Sequence, residues 1–229
     1  MLSSNSSQKR HTDKTDKSTR KIGVMGGTFD PIHHGHLVAA EEALFALGLE
    51  RVIFIPTGDS FHKAQHKVSS PEDRYMMTSL ATLENDRFRV SRIEIDRHEP
   101  SYTVDTLREM RHWFPTGEVS FYFITGVDAV STMMSWHEHD SLPGLCSIVA
   151  VTRPGYGKEG FEFLKSFPDS FRKSVVPLTI PSLSISSTEI RKRVKEGKNI
   201  RYLVPPLVEQ YIRKKGLYRE ARLEKTSKR

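Results

Sequence analysis

Three histidines within four positions, His33, His34 and His36, are the side chains best suited to chemistry in this 229-residue sequence. They close the segment 26–37, which reads GGTFDPIHHGHL and separates an apolar run from a helical pattern. The glycine pair at its start allows a backbone to approach a ligand closely. The N-terminus of the following helix offers unpaired N–H groups and a partial positive charge, which together attract phosphate. Histidines beside such an anion would add donors, so the segment predicts a phosphate-binding loop.

Two other interpretations of this loop stay open on its residues alone. The three histidines could bind a metal, although the loop lacks the cysteine or glutamate partners of a zinc signature. The loop could also be an ordinary capped turn with surface histidines. It carries neither the G-x-x-x-x-G-K-S/T pattern of a P-loop nor the G-x-G-x-x-G pattern of a dinucleotide site. Neither of these two kinds of phosphate-binding loop is therefore expected.

A second group of polar side chains lies near the C-terminus, where residues 185–191 read ISSTEIR. Ser186, with Glu189 three positions later, has the spacing of a capping box at a helix start. Many helices begin this way, so the pattern alone is also consistent with a structural role. Ser187, Thr188 and Arg191 favour a further role, because hydroxyls, free N–H groups and a guanidinium together can cradle a polyphosphate.

Short apolar, β-branched runs alternate with helical patterns along the chain, and these elements must position both polar groups. We predict strands at 22–25, 52–55, 88–95, 119–124, 147–151 and 175–180, and helices at 36–47, 71–83, 103–113, 127–134, 187–195 and 206–215. Buried strands that alternate with helices are typical of a parallel sheet covered on both faces. The predicted fold class is therefore α/β: a Rossmann-like, doubly wound parallel sheet with helices on both faces and a small C-terminal helical part.

Ligands of doubly wound sheets bind beyond the carboxyl ends of the strands, where the strand order reverses. This rule places the chemistry in the loops 26–36, 56–67 and 125–128 and in the segment after Ile180. Both groups of polar residues lie in these regions, which supports one shared site.

The composition limits the class of protein. With 37% apolar residues, 28% charged residues and one cysteine, Cys146, the chain can bury a core but cannot form an internal disulfide, which argues against a disulfide-stapled secreted scaffold. No window reaches the ~18 apolar residues of a membrane span, and residues 1–20 lack the apolar stretch of a secretory signal. We expect a soluble cytoplasmic protein with a disordered basic extension at 1–20, one domain at 21–218 whose helical part starts at about 187, and a charged tail at 219–229.

The formal net charge of +7 is unevenly distributed. Residues 1–20 carry +3 and residues 190–229 carry +10, whereas the body at 21–189 carries −6. Basic ends on an acidic body are a weak argument for nucleic-acid binding, which needs cations clustered on a folded surface. Solubilising tails are the simpler interpretation, so we expect neither a nucleic-acid nor a membrane partner.

The histidine loop resembles the signature of a known superfamily. The pattern G-G-T-F-D-P-x-H-x-G-H is similar to that of the nucleotidyltransferases whose hallmark is H-x-G-H, matched here by His33, Gly35 and His36. The ISSTEIR segment resembles the second motif of that superfamily, I-S-S-T-x-I-R. More narrowly, the chain resembles the bacterial-type nicotinate mononucleotide adenylyltransferases from about Ile22 to about Tyr218.

The resemblance implies an ATP site made of several short motifs. The G-x-D at 126–128 would meet the adenosine, the R-P-G at 153–155 would bring an arginine to ATP, and the second motif would hold the β- and γ-phosphates. The ATP-binding residues implied in this way are Gly26, Gly27, Thr28, Phe29, His33, Gly35, His36, Gly126, Asp128, Arg153, Ser187, Thr188 and Arg191.

The resemblance also implies a site for the second substrate. Residues 101–107, SYTVDTL, are similar to the S-Y-T-x-D-T stretch of the family beside the pyridine nucleotide, which implicates Thr103. His62 and Lys63 match the P-H-K turn of the family, with Phe61 in place of the usual proline. Trp136 lies where the family places a tryptophan that stacks on the nicotinate ring, although a half-buried packing role also fits an indole.

The implied reaction joins nicotinate mononucleotide to ATP, giving deamido-NAD and pyrophosphate by direct in-line attack without a covalent intermediate. His33 and His36 would contact the α-phosphate, Arg191 would hold the leaving pyrophosphate, and Mg²⁺ would be bound mainly through the ATP phosphates without a protein metal site. Nicotinamide mononucleotide is an alternative substrate, and a non-catalytic nucleotide-binding module is a more distant alternative. ATP and nicotinate mononucleotide are the expected partners, and homo-oligomer formation stays open.

Overall fold

Six parallel strands form the centre of the computed structural model, which describes residues 19–58, 68–97, 99–155 and 159–219. The strands are β1 (Arg20–Gly27), β2 (Arg51–Pro56), β3 (Phe88–Val90), β4 (Val119–Gly126), β5 (Cys146–Thr152) and β6 (Val175–Thr179). They are arranged in the order β3-β2-β1-β4-β5-β6, and each neighbouring pair is parallel. The order reverses between β1 and β4, as in a doubly wound sheet.

Eight α-helices connect or flank these strands. They are α1 (His34–Ala46), α2 (Pro71–Thr82), α3 (Thr103–Arg111), α4 (Val127–Ser131), α5 (Leu142–Leu145), α6 (Asp169–Ser174), α7 (Ser187–Lys195) and α8 (Pro206–Lys215) among the described residues. Short 3₁₀ helices lie at Met133–Ser135, His139–Ser141 and Glu159–Ser166.

Two hydrophobic clusters, one on each face of the sheet, hold these layers together. Alternate residues of a strand point to opposite faces, and in β1 Ile22 and Val24 enter one cluster while Met25 enters the other. The Met25 cluster includes apolar residues of α1, α2, α7 and α8, and the Ile22 cluster includes those of α3, α4 and α6. The predicted α/β fold with helices on both faces is therefore confirmed.

The C-terminal helices have the bounds predicted from the sequence, because both begin and end at strong local signals. The hydroxyl of Ser186 accepts a hydrogen bond from the N–H of Glu189 at 3.2 Å and caps α7. Pro206 is the first residue of α8, and Gly216 ends this helix with a positive φ of 66°. Ile190 and Ile212 pack both helices onto the core shared with α1 and α2.

Other elements differ from the predicted ones. The strand predicted at 88–95 is a three-residue edge strand, since Ser91 makes the last backbone bond to Phe54 and the chain then turns, with Asp96 N–H bonded to the carbonyl of Arg92. The helix predicted at 127–134 ends at Ser131 and continues as a 3₁₀ turn. Helices α5 and α6 were not predicted, because each has six residues or fewer and is too short to show a periodic pattern.

The predicted end segments are corrected where the structure describes them. Arg20, assigned to the N-terminal extension, pairs with Val119 in the sheet and forms a 2.6 Å ion pair with Glu50. Nine of the fourteen basic residues at 190–229 lie between Arg191 and Lys215, on α7, on α8 and in the segment between them rather than in a tail. Residues 1–18 and 220–229 lie outside the described residues. No helix in the described ranges is long and apolar enough to cross a bilayer.

Gly23 allows β1 to lie closely against its neighbours. A Cβ at this position would lie 2.9 Å from Cγ2 of Val52 and 3.1 Å from Cδ1 of Ile124. We expect Gly23→Ala to lower the free energy of unfolding by about 1–3 kcal/mol through overpacking, measured by urea denaturation. Gly144→Ala is the matched control, because nothing lies within 4 Å of its Cβ, and it should change stability by less than about 0.5 kcal/mol. Equal losses in the two variants would contradict the packing argument.

Candidate active site

The N-terminus of α1 carries two stacked histidines at the point where the strand order reverses. His33 is the N-cap residue, with an extended backbone, and His36 lies in the first turn. Their ring centroids are 3.8 Å apart with an interplanar angle of 27°. The backbone N–H of His33 donates to Nδ1 of His36 at 3.2 Å. Because Nδ1 of His36 is an acceptor, the proton of its neutral ring lies on Nε2.

Burial keeps both rings uncharged. It lowers the pKa of His36 to about 3, with a further contribution from His33, and it lowers the pKa of His33 to about 4, with a further contribution from His34. Nδ1 of His33 is buried and lacks a hydrogen-bond partner among the described residues. An unpartnered buried nitrogen is costly unless a ligand or water completes it. The pair is therefore suited to receive a polar ligand.

Small and buried residues shape the loop beneath this pair. A Cβ on Gly35 would lie 3.0 Å from Cε1 and Nδ1 of His33, which explains glycine between the two histidines. Phe29 is buried and meets the ring of His36 edge-on, with centroids 5.1 Å apart. Its φ of 48° is unusual for an aromatic residue and must be held by the surrounding contacts. A Cβ on Gly27 would lie 3.0 Å from the ring of Phe29, so this glycine makes room for it.

Helix α7 is joined directly to the histidine loop. The hydroxyl of Ser187 donates to the carbonyl of Pro31 at 2.8 Å. Nη1 of Arg191 donates to the carbonyl of Asp30 at 2.6 Å, and its Nη2 donates to Oγ1 of Thr188 at 3.3 Å. The structure thus brings together the two polar groups that the sequence places more than 150 residues apart.

A cavity of about 570 Å³ opens beside the histidines, within the usual size of a small-molecule site. Residues that follow β1, β4, β5 and β6 line it, as expected for the carboxyl edge of a doubly wound sheet. Seven of the predicted ATP-binding residues are among its lining: Gly26, His33, Gly35, His36, Gly126, Asp128 and Arg153. Apolar residues, including Ile124 and Leu183, form other parts of the wall.

Comparisons with known proteins agree with this architecture. A family model described as cytidylyltransferase-like matches residues 24–193. A curated protein of Saccharopolyspora erythraea is 52% identical over 200 residues, which cover 87% of this chain and 90% of the relative. One of Thermus thermophilus is 50% identical over 199 residues, which cover 87% of this chain and 100% of the relative. Both are named "Probable nicotinate-nucleotide adenylyltransferase". The chain belongs to the nicotinate-nucleotide adenylyltransferase family.

A solved structure similar to this chain supports the fold of the nicotinate-nucleotide adenylyltransferase family. It is described as Plasmodium falciparum nicotinic acid mononucleotide adenylyltransferase complexed with NaAD, and it aligns with a TM-score of 0.68. The alignment covers 87% of this chain and 97% of that chain at 23% identity. At this identity the likeness shows the arrangement of strands and helices alone.

The other residues implied by the adenylyltransferase resemblance either do not line the cavity or lie outside the described residues. Gly27, Thr28 and Phe29 belong to the loop beneath the histidines, and Ser187, Thr188 and Arg191 belong to the start of α7. Thr103 is the first residue of α3, and half-buried Trp136 meets Phe123 edge-on with centroids 6.2 Å apart. His62 and Lys63 lie outside the described residues.

His34, the third histidine of the loop, is separated from the other two. Its side chain lines a different cavity of about 330 Å³, together with Arg201 and Tyr202. In the described parts of the chain, no group of three or more histidine, cysteine or acidic residues is arranged to hold a metal. The geometry therefore offers no support for the alternative of a metal bound by all three histidines.

Arg74 is a site residue that the sequence reasoning missed. It is 1% exposed, and its guanidinium donates to the carbonyls of Thr28 at 3.0 Å, Gly58 at 2.9 Å and Ser69 at 3.1 Å. These contacts tie the histidine loop to both sides of the segment 59–67. An arginine on a helix gives no local sign of such a role, because two of its partners are backbone oxygens 16 and 46 positions away in the sequence.

The two lowered histidine pKa values predict a stability that depends on pH. Both folded-state values lie below the ~6.5 of an unfolded chain, so the unfolded state takes up protons first as the pH falls. The stabilisation is complete above pH 6.5 and is lost as the pH falls towards 4, by up to about 1.4 kcal/mol per pH unit for each ring. Urea denaturation of the wild type and of His36→Gln at pH 7.5 and 5.5 measures this loss.

The variant His36→Gln removes one titrating ring, so its stability should fall less steeply with pH than that of the wild type. His112→Gln is the control, because His112 is exposed at the end of α3. This control should keep the wild-type pH dependence. An unchanged pH dependence in His36→Gln would show that the buried ring of His36 does not cause the loss of stability.

Proposed function

We propose that this chain transfers the adenylyl group of ATP to nicotinate mononucleotide, giving deamido-NAD and pyrophosphate, in NAD biosynthesis. The observation that carries the proposal is the buried pair His33 and His36 beside the cavity, joined through their loop to Arg191. Relatives of about 50% identity over most of the chain carry the corresponding name. This combination of donors suits transfer at a phosphate better than chemistry at carbon.

The reaction needs no general base, because the phosphate of the mononucleotide is already ionised at neutral pH. Catalysis then consists of positioning and of stabilising the charge that develops at the α-phosphate. The Nε2–H of His36 is a donor for that phosphate. The charge of an incoming triphosphate raises the pKa of both rings, so ATP binding favours proton uptake by the histidine pair.

Arg191 is suited to hold the pyrophosphate leaving group. Its guanidinium has five N–H donors, and its contacts with Asp30 and Thr188 fix the plane of the group. The remaining donors can meet phosphate oxygens in the bidentate manner that arginine favours. The hydroxyl of Ser187 is engaged by the carbonyl of Pro31, so its contribution includes holding α7 against the loop.

The adenosine end of ATP is assigned to the ends of β4 and β5. Gly126 and Asp128 line the cavity where β4 meets α4, and a carboxylate there can accept hydrogen bonds from ribose hydroxyls. Arg153 lines the same cavity after β5. The nicotinate end is assigned to Thr103 and Trp136, with His62 and Lys63 as further candidates.

Mg²⁺ enters this proposal as part of the MgATP substrate. The cavity lining contains a single acidic side chain, Asp128, among the described residues, which fits an ion held mainly by phosphates and water. When bound, the ion neutralises phosphate charge.

The cytoplasm, where ATP is made and used, is the proposed location of the reaction.

A pyrophosphate-release assay tests the proposal directly. The wild-type protein is incubated with ATP, Mg²⁺ and either nicotinate mononucleotide or nicotinamide mononucleotide, in parallel. We expect release with nicotinate mononucleotide at a higher kcat/KM. A preference for the amide would assign the alternative substrate, and the absence of release with either would overturn the adenylyltransferase proposal.

The histidine assignment predicts the effect of one substitution. His36→Ala removes a donor to the transition state, so kcat should fall by about 10²–10³ with the fold retained. His34→Ala is the matched control, because His34 is in the same loop but lines the other cavity. Its kcat should stay within about threefold of the wild type. A folded His36→Ala protein with near-normal turnover would exclude the assigned role.

A further inference from the structure

The carboxylate of Asp30 is a buried junction between the active-site loop and two distant segments. Asp30 is 4% exposed. The hydroxyl of Tyr218 donates to its Oδ1 at 2.6 Å, and the backbone N–H of Ser69 donates to its Oδ2 at 3.3 Å. The backbone carbonyl of the same residue accepts the bond from Arg191. The position of the Asp30 carbonyl therefore depends on the hydrogen bonds of the Asp30 side chain, and the position of Arg191 depends on that carbonyl.

Tyr218 reaches this junction from the segment that follows α8. Gly216 ends the helix, Leu217 N–H bonds back to the carbonyl of Ile212 at 3.1 Å, and Tyr218 has a φ of 64°. A left-handed conformation is unfavourable for an aromatic residue, and such conformations persist where surrounding contacts hold them. The ring packs against the core formed with α1 and α2. The turn therefore directs the phenol at Asp30 and away from solvent.

The phenol is held in the form that can donate. Burial raises the pKa of Tyr218, and the carboxylate of Asp30 raises it further, since an ionised phenol would face a second negative charge. The hydrogen bond to a buried carboxylate is charge-assisted and short, as expected for a strong contact. Tyr218 therefore remains a donor throughout the physiological pH range.

We infer that Tyr218 is a positioning residue of the active site: through Asp30 it holds the loop that carries His33 and the carbonyl that fixes Arg191. The inference rests on the proposed adenylyl transfer and extends it to a residue outside the matched segment 24–193. The segment that follows α8 thus helps to hold the loop between β1 and α1 in place. The backbone of Phe29, next to Asp30, has a left-handed φ of 48°, so loss of a neighbouring contact would let this loop relax.

A matched pair of substitutions separates positioning from stability. Tyr211 also donates from the C-terminal helix to a carboxylate, Oδ1 of Asp73 at 2.8 Å, but Asp73 lies on α2 and not in the active-site loop. Tyr218→Phe and Tyr211→Phe each remove one hydroxyl and keep the ring, so both proteins should fold, with the larger loss in Tm in Tyr218→Phe because its carboxylate partner Asp30 is buried. A purely structural role of Tyr218 would give similar kinetics in the two variants.

The kinetic readout is kcat against KM in the pyrophosphate-release assay. We expect Tyr218→Phe to lower kcat about tenfold with the KM for nicotinate mononucleotide within about twofold, because the displaced groups act on the transition state. Tyr211→Phe should keep kcat within about twofold of the wild type. Tyr218→p-aminophenylalanine, which restores a donor at the same position, should recover most of the lost kcat. Equal kcat values in the two phenylalanine variants would overturn the inference.

A second readout needs no turnover and separates this inference from the proposed function. The ring ¹³C–¹H resonances of His33 and His36 should shift in Tyr218→Phe and stay unchanged in Tyr211→Phe. If the wild type released no pyrophosphate, the proposed reaction would fail, and this comparison would still decide whether Tyr218 positions the histidine loop. Unchanged histidine resonances in Tyr218→Phe would refute the positioning role.

Discussion

The hydrogen bond from Arg191 to the backbone carbonyl of Asp30 joins two segments that are 161 positions apart. The Asp30 loop ends β1 and starts α1, whereas Arg191 lies in the first turns of α7 after the last strand of the sheet. With the neighbouring bond from Ser187 to Pro31, it fixes the start of one helix against the start of another. Two helix N-termini, each with the partial positive charge of its helix dipole, are thereby held at one edge of the sheet.

Burial of the histidine pair gives this edge a property that exposed residues would lack. The rings are neutral when the site holds no anion, because burial disfavours the charged form. The negative charge of a polyphosphate beside them would raise the pKa of both rings. The donors are thus held in place by packing, with Gly35 and Phe29 fitting closely around them, and little rearrangement is needed when charge arrives. The cost is a fold that is less stable in acid than one with exposed histidines.

The sequence predicted the sheet and its doubly wound order from local physical signals, and the family resemblance added residues of the cavity lining. Apolar runs mark buried strands, and the loops after those strands must meet at one edge, which placed His33, His36 and Asp128 together, whereas Arg153 was implied by the family resemblance. The edge strand β3 was predicted too long, because the apolar run continues into a turn that is closed by the bond from Asp96 N–H to the carbonyl of Arg92.

The sequence did not predict the positioning roles of Arg74, Asp30 and Tyr218, and the reason is related. Each acts through partners that lie far away in the sequence, such as the 188 positions between Tyr218 and Asp30. A hydrogen bond between distant segments leaves no periodicity, cap or spacing in the chain. Residues that touch a ligand occur at predictable places in this fold, whereas residues that hold those places depend on how the segments meet.

The net charge of +7 can be interpreted only when each cation is located in the structure. On α7 and α8 and between them, Arg193 pairs with Glu189, Lys198 with Glu196 and Arg201 with Glu209, so these charges are largely compensated at the surface. The bonds that Arg191 donates go instead to uncharged oxygens, a carbonyl and a hydroxyl. Its orientation is therefore fixed without neutralising its charge, which is what the binding of a polyphosphate requires. The position of one arginine explains more of the proposed function than the sum of all thirty-five basic residues.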